Sequence, residues 1–183
     1  MTFAGAFMEA TDCPSGIVVC DSGPIIHLDE LHCLDLLSDF PHILVPYSVW
    51  DEIQSHRPRA LSCPYIFLEP VDARQLNDLE VQTVSVLFTL HQGERDALLV
   101  VREFSGSMFL TDDTAARLAA RSLGIAVHGT IGIVIRSIRK RTRTKIEVLD
   151  ILQSIPEQSS LFIRRTLLDD IISQVKHEVR PAK

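Results

Sequence analysis

The chain contains no apolar run near the roughly 20 residues that span a bilayer, so no membrane-crossing helix is expected. Met1 to Ala10 holds no basic residue, and Glu9 interrupts its apolar character; it does not read as a signal peptide. The four cysteines, at 13, 20, 33 and 63, lack metal-type spacing, and two of them fall on apolar segments. They are expected to be reduced core thiols of a cytoplasmic protein rather than disulfides or zinc ligands. The seven histidines show no H-E-x-x-H or similar spacing. Several phosphate and acyl chemistries lack their signatures too. There is no G-x-x-x-x-G-K-[ST] loop, no G-x-G-x-x-G after the first apolar run, no D-x-D at its end and no G-x-S-x-G elbow. A receiver domain would carry its acid pair near the first strand, whereas Asp112-Asp113 lie far beyond it. No repeat, low-complexity tract or clear linker occurs.

What remains is a chain of 183 residues, 46% hydrophobic and 23% charged, large enough for a substantial core. Its net charge of −6 is uneven. Arg136, Arg139, Lys140, Arg141, Arg143 and Lys145 form a strip without acids, so the rest carries −12 (−6 less the strip's +6). An acidic body repels nucleic acid, which favours a dedicated strip contacting RNA phosphates or docking an acidic partner. A solvated connection between two helices accounts for the strip equally well.

The apolar pattern alternates between short strands and helices. Strands are expected at Ile17–Cys20, Ile43–Val45, Tyr65–Leu68, Met108–Thr111 and Ile125–His128. A helix with Ile25, Leu28, Leu31, Leu34 and Leu37 on one face follows the first. Another helix is expected from Tyr47 to Ile53. A third, carrying Leu76, Leu79, Thr83, Leu87 and Leu90, is expected to stop before Gly93, with a new one beginning near Glu94. After the helix 114–123 and the last strand come helices near 130–140, 145–154 and 160–177. Strand–helix alternation implies a parallel sheet covered on both faces.

Asp21 follows the first strand and Asp112-Asp113 the fourth, and open α/β sheets bind ligands beyond the carboxyl ends of their strands. Glu52, and Glu94 or Asp96, stand in the segments between. Each acid has an ordinary reading as a helix cap, a first-turn acid or a solvated side chain. Together they suggest a carboxylate nest holding a hard divalent cation, Mg²⁺ or Mn²⁺, which can polarise a phosphate and activate water.

Val18-Val19-Cys20-Asp21-Ser22-Gly23-Pro24-Ile25-Ile26 resembles the opening of PIN-domain proteins, and Val45-Pro46-Tyr47-Ser48-Val49-Trp50-Asp51-Glu52-Ile53 is similar to their second-acid helix. Gly93-Glu94-Arg95-Asp96-Ala97 looks like the G-E-x-x-A motif of one prokaryotic subgroup. Leu110-Thr111-Asp112-Asp113, followed by Arg117, Ala120 and Leu123-Gly124-Ile125, resembles the fourth-acid strand and its helix; Gly129-Thr130-Ile131-Gly132 also fits the subgroup.

The resemblance implies a three-layer α/β/α fold with a central parallel sheet of about five strands. It implies one domain over 1–183, with a core at about 17–140 and a helical extension at about 141–183. It further implies a Mg²⁺- or Mn²⁺-dependent endoribonuclease. The toxin of a toxin–antitoxin pair, as in VapC-like proteins, is the candidate role, with an antitoxin and a second copy in a homodimer as candidate partners. The alternative is an inactive PIN-fold protein that binds RNA or a protein partner. Asp21 would be the first acid and Glu52 the second. The third is Glu94 by the subgroup motif or Asp96 by the D-A-hydrophobic run of the toxins, with Asp96 preferred. The fourth is Asp113 by the T-x-D pattern, with Asp112 beside it. Substrate contacts would come from Ser22, Arg136, Arg139, Lys140, Arg141 and Arg143. Many members carry a hydroxyl two positions after the first acid; here that position is Gly23 and the hydroxyl is on Ser22.

Overall fold

The computed structural model describes residues 15–177. Cys13 and the 1–10 segment lie outside them. Five strands, β1 (Ile17–Cys20), β2 (His42–Pro46), β3 (Leu68–Val71), β4 (Met108–Leu110) and β5 (Val127–His128), form one sheet in the order β3-β2-β1-β4-β5. Every pairing is parallel. The helices are α1 (Ser22–Glu30), α2 (Tyr47–His56), α3 (Leu79–Leu87), α4 (Gln92–Glu103), α5 (Thr114–Ser122), α6 (Thr130–Lys140), α7 (Lys145–Gln158) and α8 (Arg165–His177). Among the described residues, no helix is long and apolar enough to cross a membrane.

Successive strand residues point to opposite faces, and the core divides accordingly. Val18, Cys20, Ile43, Val45, Met108 and Leu110 enter one cluster, covered by α1, α2, α6, α7 and α8. Val19, Leu44 and Phe109 enter the other, with Val81 of α3, Leu98 of α4 and Ala116 of α5. Strands apolar on both faces need helices on both, which gives the three-layer α/β/α arrangement. The C-terminal helices belong to the first cluster through Val148, Leu152, Ile155, Leu168, Ile171 and Val175.

Several boundaries differ from expectation. The third strand lies at Leu68–Val71 and contains Pro70. It is an edge strand, where the missing N–H of proline is tolerated. The long helix expected over 25–37 divides: α1 ends at Glu30, His32 takes a left-handed φ of 53°, and a 3₁₀ segment spans Leu34–Asp39. Gly93 lies inside α4, because His91 and Glu94 form a reciprocal capping box that starts the helix at Gln92. The helix α7 continues to Gln158, with Pro156 in its last turn. The last helix begins at Arg165 rather than 160, leaving 159–164 as an irregular loop.

Candidate active site

The chain runs from β1 outward to β2 and β3, then returns to the other side of β1 as β4. The crevice of an open α/β sheet forms where the strand order reverses, here between β1 and β4. Cys20 and Leu110 are in register, so the residues after them meet. The backbone N–H of Asp21 donates to the carbonyl of Leu110 at 2.9 Å. Fully buried Thr111 donates its hydroxyl to Asp21 Oδ2 at 2.8 Å, and the Ser22 N–H donates to Oδ1 at 2.9 Å. The Thr111 hydroxyl also accepts from the N–H of Asp113 at 3.2 Å, which positions the second acidic corner.

A cavity of about 640 Å³ opens over this junction. Asp21, Glu52, Glu94, Asp112 and Asp113 all line it, together with Ser22, Gly23 and His27. Gly93 allows α2 and α4 to approach here: a Cβ at that position would stand 3.2 Å from Val49 Cγ2 and 3.9 Å from Glu52 Oε2. Burial, with the charges of Glu94 and Glu52 adding to it, pushes the Asp21 carboxyl up to about 7 against its two hydrogen bonds. Burial also raises Glu94, reinforced by Asp113 and Glu52 and opposed by the hydrogen bond from the His91 N–H.

The two acidic alternatives separate by geometry. Residues two apart on a helix point about 200° apart. Glu94 lines the cavity, whereas Asp96 turns to α2 and accepts from the Ser48 hydroxyl at 2.7 Å. Asp96 is therefore not among the cavity acids, contrary to the preference drawn from the D-A-hydrophobic run. Asp112 and Asp113 both border the cavity but do different work. Asp112 Oδ2 meets His27 Nδ1 at 3.0 Å and the Thr130 hydroxyl at 2.5 Å, while Oδ1 accepts the Thr130 N–H at 2.8 Å. It ties α1 to the start of α6. Asp113 caps α5 through the Ala116 N–H at 2.7 Å and is otherwise exposed.

The basic strip lies outside the cavity lining among the described residues. Arg136 pairs with Asp39 at 2.7 Å and covers the Phe40 ring at 5.2 Å. Arg143 pairs with Asp35 at 2.6 Å, and Lys145 Nζ donates to the Lys176 carbonyl at 2.5 Å. Arg136, Arg143 and Lys145 thus hold parts of the fold together, and Arg139, Lys140 and Arg141 are exposed. The tail contributes something the sequence did not announce: Ser160, Leu161 and Phe162 line the cavity. His27 was also missed, because its partner Asp112 is 85 residues away.

An all-carboxylate donor set suits Mg²⁺ or Mn²⁺. A carboxyl raised by burial, with like charges adding to it, is one that a cation would return to its charged form. Among the described residues, no group of three or more His, Cys, Asp and Glu side chains is arranged as a ready-made metal site. The acids fit the ion by chemistry and by their common cavity, with the exposed Glu52 and Asp113 as the side chains left to adjust.

A family model, DUF3368, described as a PIN domain, matches residues 17–177. No curated protein and no solved structure gives a significant match. PIN domains are generally nucleases that use divalent metal ions, with RNA as the general kind of partner. With a match over most of its length, and the parallel sheet and acid-lined crevice described above, the chain belongs to the PIN-domain family.

Proposed function

We propose that this protein is a metal-dependent endoribonuclease that hydrolyses RNA phosphodiester bonds. The observation that carries the reading is the convergence of Asp21, Glu52, Glu94 and Asp113, from four separate segments, on one cavity at the β1–β4 switch point. These four side chains, with Asp112 behind them, would hold Mg²⁺ or Mn²⁺. When bound, the ion would polarise the scissile phosphate and lower the pKa of an attacking water. Thr111 and the Ser22 N–H fix the orientation of Asp21, and Asp112 fixes His27 at the cavity wall. Ser22 lines the cavity beside the first acid and would contact substrate there.

The likeness to VapC-like toxins extends the proposal to a toxin restrained by an antitoxin. A homodimer would not use the main apolar face of α8, since Leu168, Ile171 and Val175 are already buried. The second reading is a PIN-fold protein without turnover that binds RNA or a protein partner.

Purified protein incubated with a labelled RNA panel and Mn²⁺, Mg²⁺ or EDTA, beside Asp21→Asn, separates the two. Cleavage that needs the ion and is lost in the mutant supports the ribonuclease. A melting temperature indifferent to millimolar divalent ions, with uncut RNA, would leave the binding role.

A further inference from the structure

The loop 159–164 is tied down at its start and alternates along the rest of its length. Glu30, at the end of α1, has its side chain only 8% exposed. It accepts the Ser160 N–H at 2.7 Å, the Ser159 hydroxyl at 2.9 Å and the Ser160 hydroxyl at 3.0 Å, while Arg57 donates to it at 3.0 Å. Burial opposes the charge, but these four donors together hold the carboxyl below its usual range. The Leu161 N–H donates to Ser159 Oγ at 3.1 Å. Leu161 and Ile163 then pack against the core, while Phe162 and Arg164 are exposed. Exposure thus alternates along 161–164, with the Phe162 ring and the Arg164 side chain both open to solvent.

Phe162 is 91% exposed and lines the carboxylate cavity. A single exposed apolar side chain is ordinary on a protein surface. Here the ring stands on an anchored backbone at the mouth of a crevice whose other walls are mainly polar and acidic. That crevice repels phosphate, so a polynucleotide entering it needs a favourable contact at the rim that does not depend on the acids. An aromatic face takes any unstacked base, and a cation beside it takes the backbone.

We propose that the 159–164 loop is a substrate-binding element in which Phe162 stacks on a nucleobase of single-stranded RNA flanking the cleavage position, with Arg164 contacting an adjacent phosphate. This rests on the ribonuclease reading and adds to it a contact of the 159–164 loop that only an unpaired base can make. A duplex keeps its base faces covered and cannot offer one to the ring.

The test is fluorescence anisotropy of a labelled single-stranded oligouridylate and of an RNA duplex, titrated with the full chain carrying Asp21→Asn so that nothing is cut. Phe162→Ala, Phe162→Trp and Phe162→Tyr are then added to that background. Stacking is worth about 1–3 kcal/mol per base, so Phe162→Ala should weaken single-strand binding about 5- to 150-fold. Trp and Tyr should restore it, and an oligonucleotide with abasic positions should abolish the difference between Phe and Ala. The exposed ring predicts an unchanged melting temperature for Phe162→Ala. Single-strand affinity unaltered by Phe162→Ala, or a loss that Trp and Tyr fail to restore, overturns the stacking role. In either case RNA cutting by the unmodified protein would leave the ribonuclease reading standing. Absence of both RNA binding and cleavage by a folded, unmodified chain overturns the two together.

Discussion

Thr111 and Asp21, 90 residues apart in sequence, are joined by a 2.8 Å hydrogen bond between the ends of two neighbouring parallel strands. Thr111 is fully buried and Asp21 is 6% exposed, so the hydroxyl serves an acid that has little water to solvate it. It donates to the charged form, which is why it works against the burial that raises Asp21.

Thr111→Val keeps the side-chain shape and removes that donor. The Asp21 carboxyl should then ionise at still higher pH than about 7. A hydrogen bond to a charged group is worth about 1.5–3 kcal/mol, which corresponds to about 1–2 pH units. At a fixed, subsaturating Mn²⁺ concentration, the acidic limb of the kcat/KM profile for RNA cleavage should move upward by that amount. A limb that stays in place would remove Asp21 from the ionisation that controls activity.

Asp21→Asn should abolish cleavage and, without metal, stabilise the fold. The carboxyl ionises near 3.8 when unfolded and at about 7 when folded. Between these values the folded chain holds a proton that the unfolded chain has released, so stability falls as pH rises and the penalty is complete above about 7. A gap of about three units is worth on the order of 4 kcal/mol, an upper figure because asparagine must still satisfy Thr111 and Ser22. Denaturation in EDTA should therefore favour Asp21→Asn at pH 8 and show little difference at pH 4. Adding Mn²⁺ should stabilise the unmodified chain more than the mutant. A mutant less stable than the parent at both pH values would contradict the burial argument.

Glu94 and Asp96 give the sharpest test of the assignment. Glu94→Gln preserves the capping box, because glutamine accepts the His91 N–H as glutamate does. It should keep the melting temperature while lowering the cleavage rate by about 100-fold or more, beyond the upper end of what outer-shell partners of a metal site cost. Asp96→Asn retains an acceptor for Ser48 and should lose less than about tenfold. Steady-state cleavage by the two variants decides between them, and the reverse order would return the third acid to Asp96.

The acids were legible in the sequence because strands that end in aspartate deliver it to the crevice whatever the helices do. Asp21, Asp112 and Asp113 needed only the β1–β4 junction, and Glu52 needed only a short helix after β2. Glu94 against Asp96 required the rotation of α4, which is set by a cap at His91 that no apolar period reveals. The roles of the adjacent Asp112 and Asp113 depended on partners at His27 and Thr130, distant in sequence or on a later helix. Residues 160–164 read as helix because the apolar face of Leu167, Leu168, Ile171, Ile172 and Val175 sets a helical period without marking where it starts. What unwinds them is a hydrogen bond from Ser160 to Glu30, 130 residues away. Contacts of that separation leave no periodic trace.

The basic strip predicts a division between stability and binding. Arg136 has a side chain 12% exposed, paired with Asp39 and stacked on Phe40, so Arg136→Ala should cost on the order of 2 kcal/mol. That is less than for a fully buried pair, since Asp39 remains 23% exposed. Exposed Arg139 and Arg141 stand at the end of α6, where their charges add no comparable packing. If the strip follows RNA away from the cavity, Arg139→Ala with Arg141→Ala should leave the melting temperature unchanged. The dependence of log affinity on log salt should flatten by about 0.7 for each phosphate that the strip no longer neutralises. An unaltered slope would assign the strip to fold stability through Arg136 and Arg143, and leave the cavity rim to supply the cations that RNA needs.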